Sequence, residues 1–144
     1  MRHRTYGLTA FAIAGTAVLF AAGCGGTPSE GSGGLPELRV NQRDFRISAP
    51  KHVSAGRVRV ELYNKGPDNH ELLIVRTDGK ELPFRSNGMT VDEDAVEPAV
   101  AVALEPEGYG EREALVRLRP GRYMLFCNMS GHYLGGMHAE LVVG

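Results

Sequence analysis

From residue 57 onward apolar side chains alternate with charged ones: Val58, Val60 and Leu62 interleave with Arg57, Arg59 and Glu61. A spacing of two is that of a β-strand with one face in a core and the other in water. The pattern returns at Leu115, Val116 and Leu118, and again at Tyr123, Leu125 and Cys127, on either side of Pro120-Gly121. Pro-Gly is a turn signal, so these two segments are expected to pair as a hairpin. Residues 72–75 and 140–143 supply two more apolar strands, and residues 38–47 an edge strand or a bulged pair. Turn-forming residues fill 64–69 and 77–80. About seven short strands at such intervals predict an all-β fold, an antiparallel β-sandwich without a long helix. Residues 81–110 resist this reading: they are acidic, contain Pro83, Pro98 and Pro106, and hold an Ala/Val run at 99–104 that suits a strand or a short helix. No internal repeat is present.

Ahead of the strands the pattern changes. A basic start, Met1-Arg2-His3-Arg4, is followed by 18 uncharged residues from Tyr6 to Gly23, the construction of an export signal. The run closes on Leu19-Phe20-Ala21-Ala22-Gly23-Cys24, which resembles the lipobox of bacterial lipoproteins, with Ala21 where Leu is commoner. An uncleaved membrane helix is the alternative, since a span needs about 20 apolar residues. The short apolar run and the small residues favour a signal over residues 1–23 and a lipid on Cys24. Residues 24–34 are Gly/Ser-rich and too poor in apolar side chains to fold, so they are expected to tether a domain of residues 35–144. Both readings place that domain outside the cytoplasm, at the membrane.

Charge excludes one class of partner. The whole chain carries a formal net charge of −1, and without Arg2 and Arg4 it holds 14 basic against 17 acidic residues. Nucleic-acid binding has no support in such a balance. Asp92, Glu93, Asp94, Glu97, Glu105, Glu107, Glu111 and Glu113 cluster with only Arg112 among them, as a solvated face or as a docking patch for a basic partner.

Cysteine use points to chemistry. Of two cysteines, Cys24 is assigned to lipid, which leaves Cys127 alone in an oxidising compartment unless it is buried or bound. A Cys24–Cys127 disulfide is disfavoured because Cys24 precedes a floppy tether. Cys127 opens the pattern C-x4-H-x4-M with His132 and Met137, on a stretch whose glycines let the chain fold back. A thiolate, an imidazole and a thioether on one tight loop can converge on a soft metal, and with a second imidazole they suit copper in electron transfer. Zinc prefers four Cys or His ligands, and Met serves it poorly. His70, which opens the strand at 71–75, is the best second imidazole. His138 is the alternative, although strand alternation turns it away from Met137. His52 reads as a solvated loop residue.

With these residues in view, the region from about Leu38 to Gly144 resembles a cupredoxin, the small blue-copper family of plastocyanin and azurin. Residues 58–64 leading to Asn69-His70-Glu71, and residues 118–127 leading through His132 to Met137, carry the resemblance. It implies a Greek-key β-sandwich, one type 1 copper cycling between Cu(I) and Cu(II), and electron transfer without substrate turnover, hence no enzyme. By position, His70, Cys127, His132 and Met137 would be the ligands. Family members often carry Asn or Ser after the first histidine, bracing the loop around the thiolate, where this chain has Glu71. The expected protein is a monomer, lipid-anchored to the cell membrane, that shuttles electrons among redox proteins of the membrane or envelope. Copper storage or delivery is the alternative. Multicopper enzymes would need more than the 5 histidines present. His132, flanked by Met129, Tyr133 and Leu134, is the expected electron port, its neighbours forming a docking patch or simply packing that end.

Overall fold

The computed structural model describes residues 34–144; the expected signal, Cys24 and nearly all of the tether lie outside them. Nine strands form two sheets: β1 Glu37–Arg43, β2 Arg46–Ser48, β3 His52–Val53, β4 Gly56–Asn64, β5 Leu72–Arg76, β6 Val100–Leu104, β7 Glu111–Leu118, β8 Gly121–Phe126 and β9 His138–Val143. One sheet runs β2-β1-β4-β7 and the other β3-β9-β8-β5-β6. The all-β sandwich is therefore present, with two parallel pairings, β1 with β4 and β3 with β9, among antiparallel ones. The parallel pairs arise because β3 belongs to the second sheet. The chain leaves after β2, touches that sheet, and re-enters beside β1 in the same direction.

The alternation read from the sequence becomes the core. Val58, Val60 and Leu62 of β4 are fully buried and pack with Leu38, Val40, Leu72, Ile74, Leu118, Leu125 and Leu141. Each such aliphatic side chain contributes about 1.5–3 kcal/mol by leaving water. On β7 the inward set is Ala114, Val116 and Leu118, and Leu115 faces solvent.

The expected hairpin across Pro120-Gly121 does not form. β7 pairs with β4, whereas β8 pairs with β5 and β9 in the opposite sheet. The turn signal is sound, but the turn is an arch between sheets. Tyr123 fixes it: its hydroxyl donates to the Arg119 carbonyl at 2.9 Å and accepts the Arg119 N–H at 3.2 Å. These two hydrogen bonds to the residue four back hold the corner folded over the core.

The ambiguous stretch resolves into several pieces. A single helical turn, α1 Glu93–Val96, runs into a 3-10 turn at Glu97–Ala99 and then into edge strand β6. This excursion covers the outer face of β5 and β8. Leu82, Val91 and Val96 pack there on Leu73, Val75 and Phe126. Strand β5 is consequently buried on both faces, which explains its unbroken apolar run.

Candidate metal centre

Three polar side chains meet at one end of the sandwich. His70 precedes β5, Cys127 follows the last residue of β8, and His132 lies halfway along the connection to β9. One potential ligand atom from each lies within 4.8 Å of the other two. The Cys127 Sγ is 3.5 Å from His132 Nδ1, and the two imidazoles meet edge to face at a centroid distance of 5.3 Å. His138 is turned out and stacks on Tyr133 at 4.6 Å. It is not part of the cluster, as alternation after Met137 required. His52 is exposed on β3.

The loop that carries Cys127 and His132 is tied at its base and along its length. The Cys127 N–H donates to the Met137 carbonyl at 3.1 Å, and the Met137 N–H donates to the His132 carbonyl at 3.0 Å. Gly131 and Gly136 sit at φ 82° and 103°, a conformation that L side chains rarely adopt, so the sharp reversals depend on them. Met137 itself is fully buried within the core that contains Cys127.

A second set of bonds places His70. Buried Asn64 donates through Nδ2 to the Asp68 carbonyl at 2.6 Å and the Glu107 carbonyl at 3.1 Å, while its Oδ1 accepts the Gly66 N–H at 3.0 Å. Gln42 Nε2 donates to the Glu71 carbonyl at 2.7 Å. The chain on both sides of His70 is thus held by β1, β4 and the loop before β7.

Burial makes these donors unusual. His70 is 3% exposed, and neither of its ring nitrogens makes a hydrogen bond. Asp44 Oδ1 approaches Nε2 to 3.3 Å without forming a hydrogen bond. An unsatisfied buried polar group costs about 1–3 kcal/mol, a penalty that coordination to a metal would relieve. Burial pushes the His70 imidazole below its ordinary pKa, helped by the nearby His132 and opposed by Asp44. Burial also raises the Cys127 thiol, against hydrogen bonding from the backbone of Glu71 and Met129. Both shifts favour the neutral forms, and a bound cation would favour the thiolate. A fully buried, reduced cysteine between two imidazoles, one of them an orphan, fits a soft metal ion.

The residue after His70 is Glu71, and a buried asparagine stands instead directly after the cysteine. Asn128 is buried; its Oδ1 accepts the Val91 N–H at 2.6 Å, and its Nδ2 donates to the Val91 carbonyl at 3.0 Å and to Glu93 Oε1 at 2.7 Å. It binds the excursion to the ligand loop. Burial, and then Glu93, raise the Glu71 carboxyl, which the backbone of Asn128 in turn stabilises. Sequence reasoning passed over Asn128, Gln42, Asn64 and Asp44. For Asn128 a signal existed, its place directly after Cys127; the others become neighbours only through the sheet pairing.

Several solved structures share this architecture. Reduced auracyanin from Roseiflexus castenholzii is 16% identical, with a TM-score of 0.54 over 75% of this chain and 96% of that one. Auracyanin A of Chloroflexus aurantiacus, described as a "blue" copper protein, is 16% identical at a TM-score of 0.55, over 75% and 98% of the two chains. Reduced rusticyanin is 18% identical at a TM-score of 0.55, over 75% and 79%. The chain has the cupredoxin fold. No protein-family model and no curated protein matches the sequence itself. Within a cupredoxin fold, the cluster of His70, Cys127 and His132 stands at the end of the sandwich where β4–β5 and β8–β9 connect.

Proposed function

We propose that this domain binds one type 1 copper and passes single electrons between redox proteins of the cell envelope. The observation that carries the reading is the convergence of His70, Cys127 and His132, with their donor atoms within 4.8 Å of each other. A thiolate with two imidazoles selects copper over harder metals, and Met137, buried on the same closed loop, suits the weak axial position. Bound copper would supply a Cu(II)/Cu(I) couple. The protein's residues do the rest. His70 and Cys127, 3% and 0% exposed, exclude water and retain the ion, which argues against ready delivery to another protein. His132 is only partly buried and is the path to the surface. Around it Met129 is 40% and Leu134 58% exposed, an apolar rim on which a partner could dock briefly. Tyr133 instead packs between Phe84 and Phe126.

Leu134→Lys tests electron transfer as opposed to mere binding. The side chain supplies no ligand atom, so the spectrum and copper affinity should not change. A hydrated charge at the rim must be desolvated before close approach, so stopped-flow oxidation by terminal-oxidase membranes should slow by about tenfold, within the range over which interface variants move association rates. Unchanged transfer would remove Leu134 from the docking rim. Rapid loss of copper from the parent protein to a Cu(I) chelator would favour storage or delivery.

In this reading, a lipid on Cys24 anchors a monomer to the membrane, with residues 24–34 as tether. Cys24→Ala should release the copper domain into the soluble fraction or leave it unprocessed with its signal. A processed variant that still sediments with membranes would refute the anchor.

A further inference from the structure

The β1–β2 hairpin turns on two residues, Asp44 and Phe45, and each lies against a different imidazole of the cluster. Asp44 Oδ1 is 3.3 Å from His70 Nε2, and the Phe45 ring stands 5.3 Å from the His132 ring, tilted by 56°. Phe45 adopts φ 58° and is 54% exposed. A bulky side chain in the left-handed region and in water is doubly unfavourable, and such strain persists where the surroundings impose it. Asn or Gly would fit that turn better. Two glycines leave room for the pair. A Cβ on Gly66 would stand 2.9 Å from Asp44 Oδ1, and one on Gly135 would run into Phe45 Cδ1 and lie 3.0 Å from its Cε1. Strand β1 is itself fixed by its ladder to β4 and by the Gln42 bond to the Glu71 carbonyl.

From this geometry we infer that the Asp44–Phe45 tip is a positioning device that sets both histidines for the metal. The inference rests on the copper reading above. With its oxygen 3.3 Å from Nε2, the Asp44 carboxylate favours, through its charge rather than a hydrogen bond, the His70 tautomer protonated on Nε2, which leaves the lone pair on Nδ1. Metal-binding imidazoles are commonly oriented in this way through their second nitrogen. Phe45 blocks rotation of His132 away from Cys127. One rigid turn thereby ties together ligands from two separate loops, which limits rearrangement when an electron arrives.

The test uses the full chain in detergent micelles. In the metal-free protein, long-range ¹H–¹⁵N NMR should show His70 as the Nε2–H tautomer, and Asp44→Ala should give a tautomer mixture. After copper loading, Asp44→Ala should weaken Cu(I) affinity by about 10- to 100-fold, the usual effect of losing such a partner, and Asp44→Asn should restore part of it. Phe45→Gly separates positioning from folding. It relieves the backbone strain, so thermal stability of the metal-free protein should hold or rise, while release of copper to bicinchoninate accelerates several-fold and the Cu(II) EPR spectrum broadens. A parent tautomer and affinity in Asp44→Ala would overturn the role of Asp44. Parent EPR and release in Phe45→Gly would overturn that of Phe45. A parent protein that takes up copper without an intense red absorption band would refute the copper reading itself, an outcome distinct from either.

Discussion

Replacing Cys127 by serine should abolish the intense visible absorption of the copper-loaded protein. The colour of such a site comes from charge transfer out of a thiolate, and Cys127 is the one cysteine among the described residues. A hydroxyl at that position keeps nearly the same shape but is too hard and too weakly acidic to replace the sulfur. The rest of the site should survive. Sγ is fully buried in the core, so the variant leaves a slightly larger space and a polar atom to satisfy, at about 1–3 kcal/mol, well short of unfolding. Circular dichroism should therefore be unchanged while the red band is lost completely. Met137→Leu is the contrasting case: the band should remain and the reduction potential should rise, since a lost axial donor disfavours Cu(II) more than Cu(I). A Cys127→Ser protein that stays blue would remove the thiolate from the site. Loss of the band in His138→Ala would return that histidine to the ligand set, against its outward stacking on Tyr133.

The loop from Cys127 to Met137 was legible in the sequence because Cys127 and His132 stand five residues apart, and local spacing brings the thiol within 3.5 Å of the imidazole. His70 was legible at one remove, from its place before an apolar strand. Hydrophobic alternation located β4 and β8, since burial on one face leaves a period of two, and short apolar runs located β5 and β9. Pairing was less accessible. Pro120-Gly121 marks a reversal, but whether it closes a hairpin or an arch depends on which sheet the next strand joins, and that is settled by Tyr123 reaching back to Arg119. The supports of the site were least accessible. Asn64 meets Glu107 across 43 residues and Gln42 meets Glu71 across 29, contacts that no local pattern encodes.

The largest loss of stability from a single methyl group is expected at Gly108. A Cβ there would overlap the Pro67 carbonyl oxygen and stand 2.8 Å from its carbonyl carbon. Both obstacles are backbone, so no side-chain rotation relieves the collision. Gly108 is not at positive φ, so alanine meets no conformational penalty of its own and the effect is purely one of space. The crowding has a reason. The Gly108 N–H donates to Asn69 Oδ1 at 3.0 Å, the Tyr109 N–H to the Gly66 carbonyl at 2.9 Å, and the His70 N–H to the Pro106 carbonyl at 3.4 Å. The loop before β7 is zipped against the loop that presents His70, and pushing them apart breaks several bonds at once. Overpacking of this kind costs about 1–3 kcal/mol or more, which for a domain of this size lowers the melting temperature by about 10 °C. Copper affinity should fall with it, because the displaced segment carries His70. Gly88→Ala serves as the control. Gly88 has φ 67° and open space around it, so alanine there meets backbone strain of about 1–2 kcal/mol and should leave copper binding untouched. If calorimetry of the metal-free protein showed Gly108→Ala melting with its parent, the two loops could not be packed this closely, and the placement of His70 would have to be drawn again.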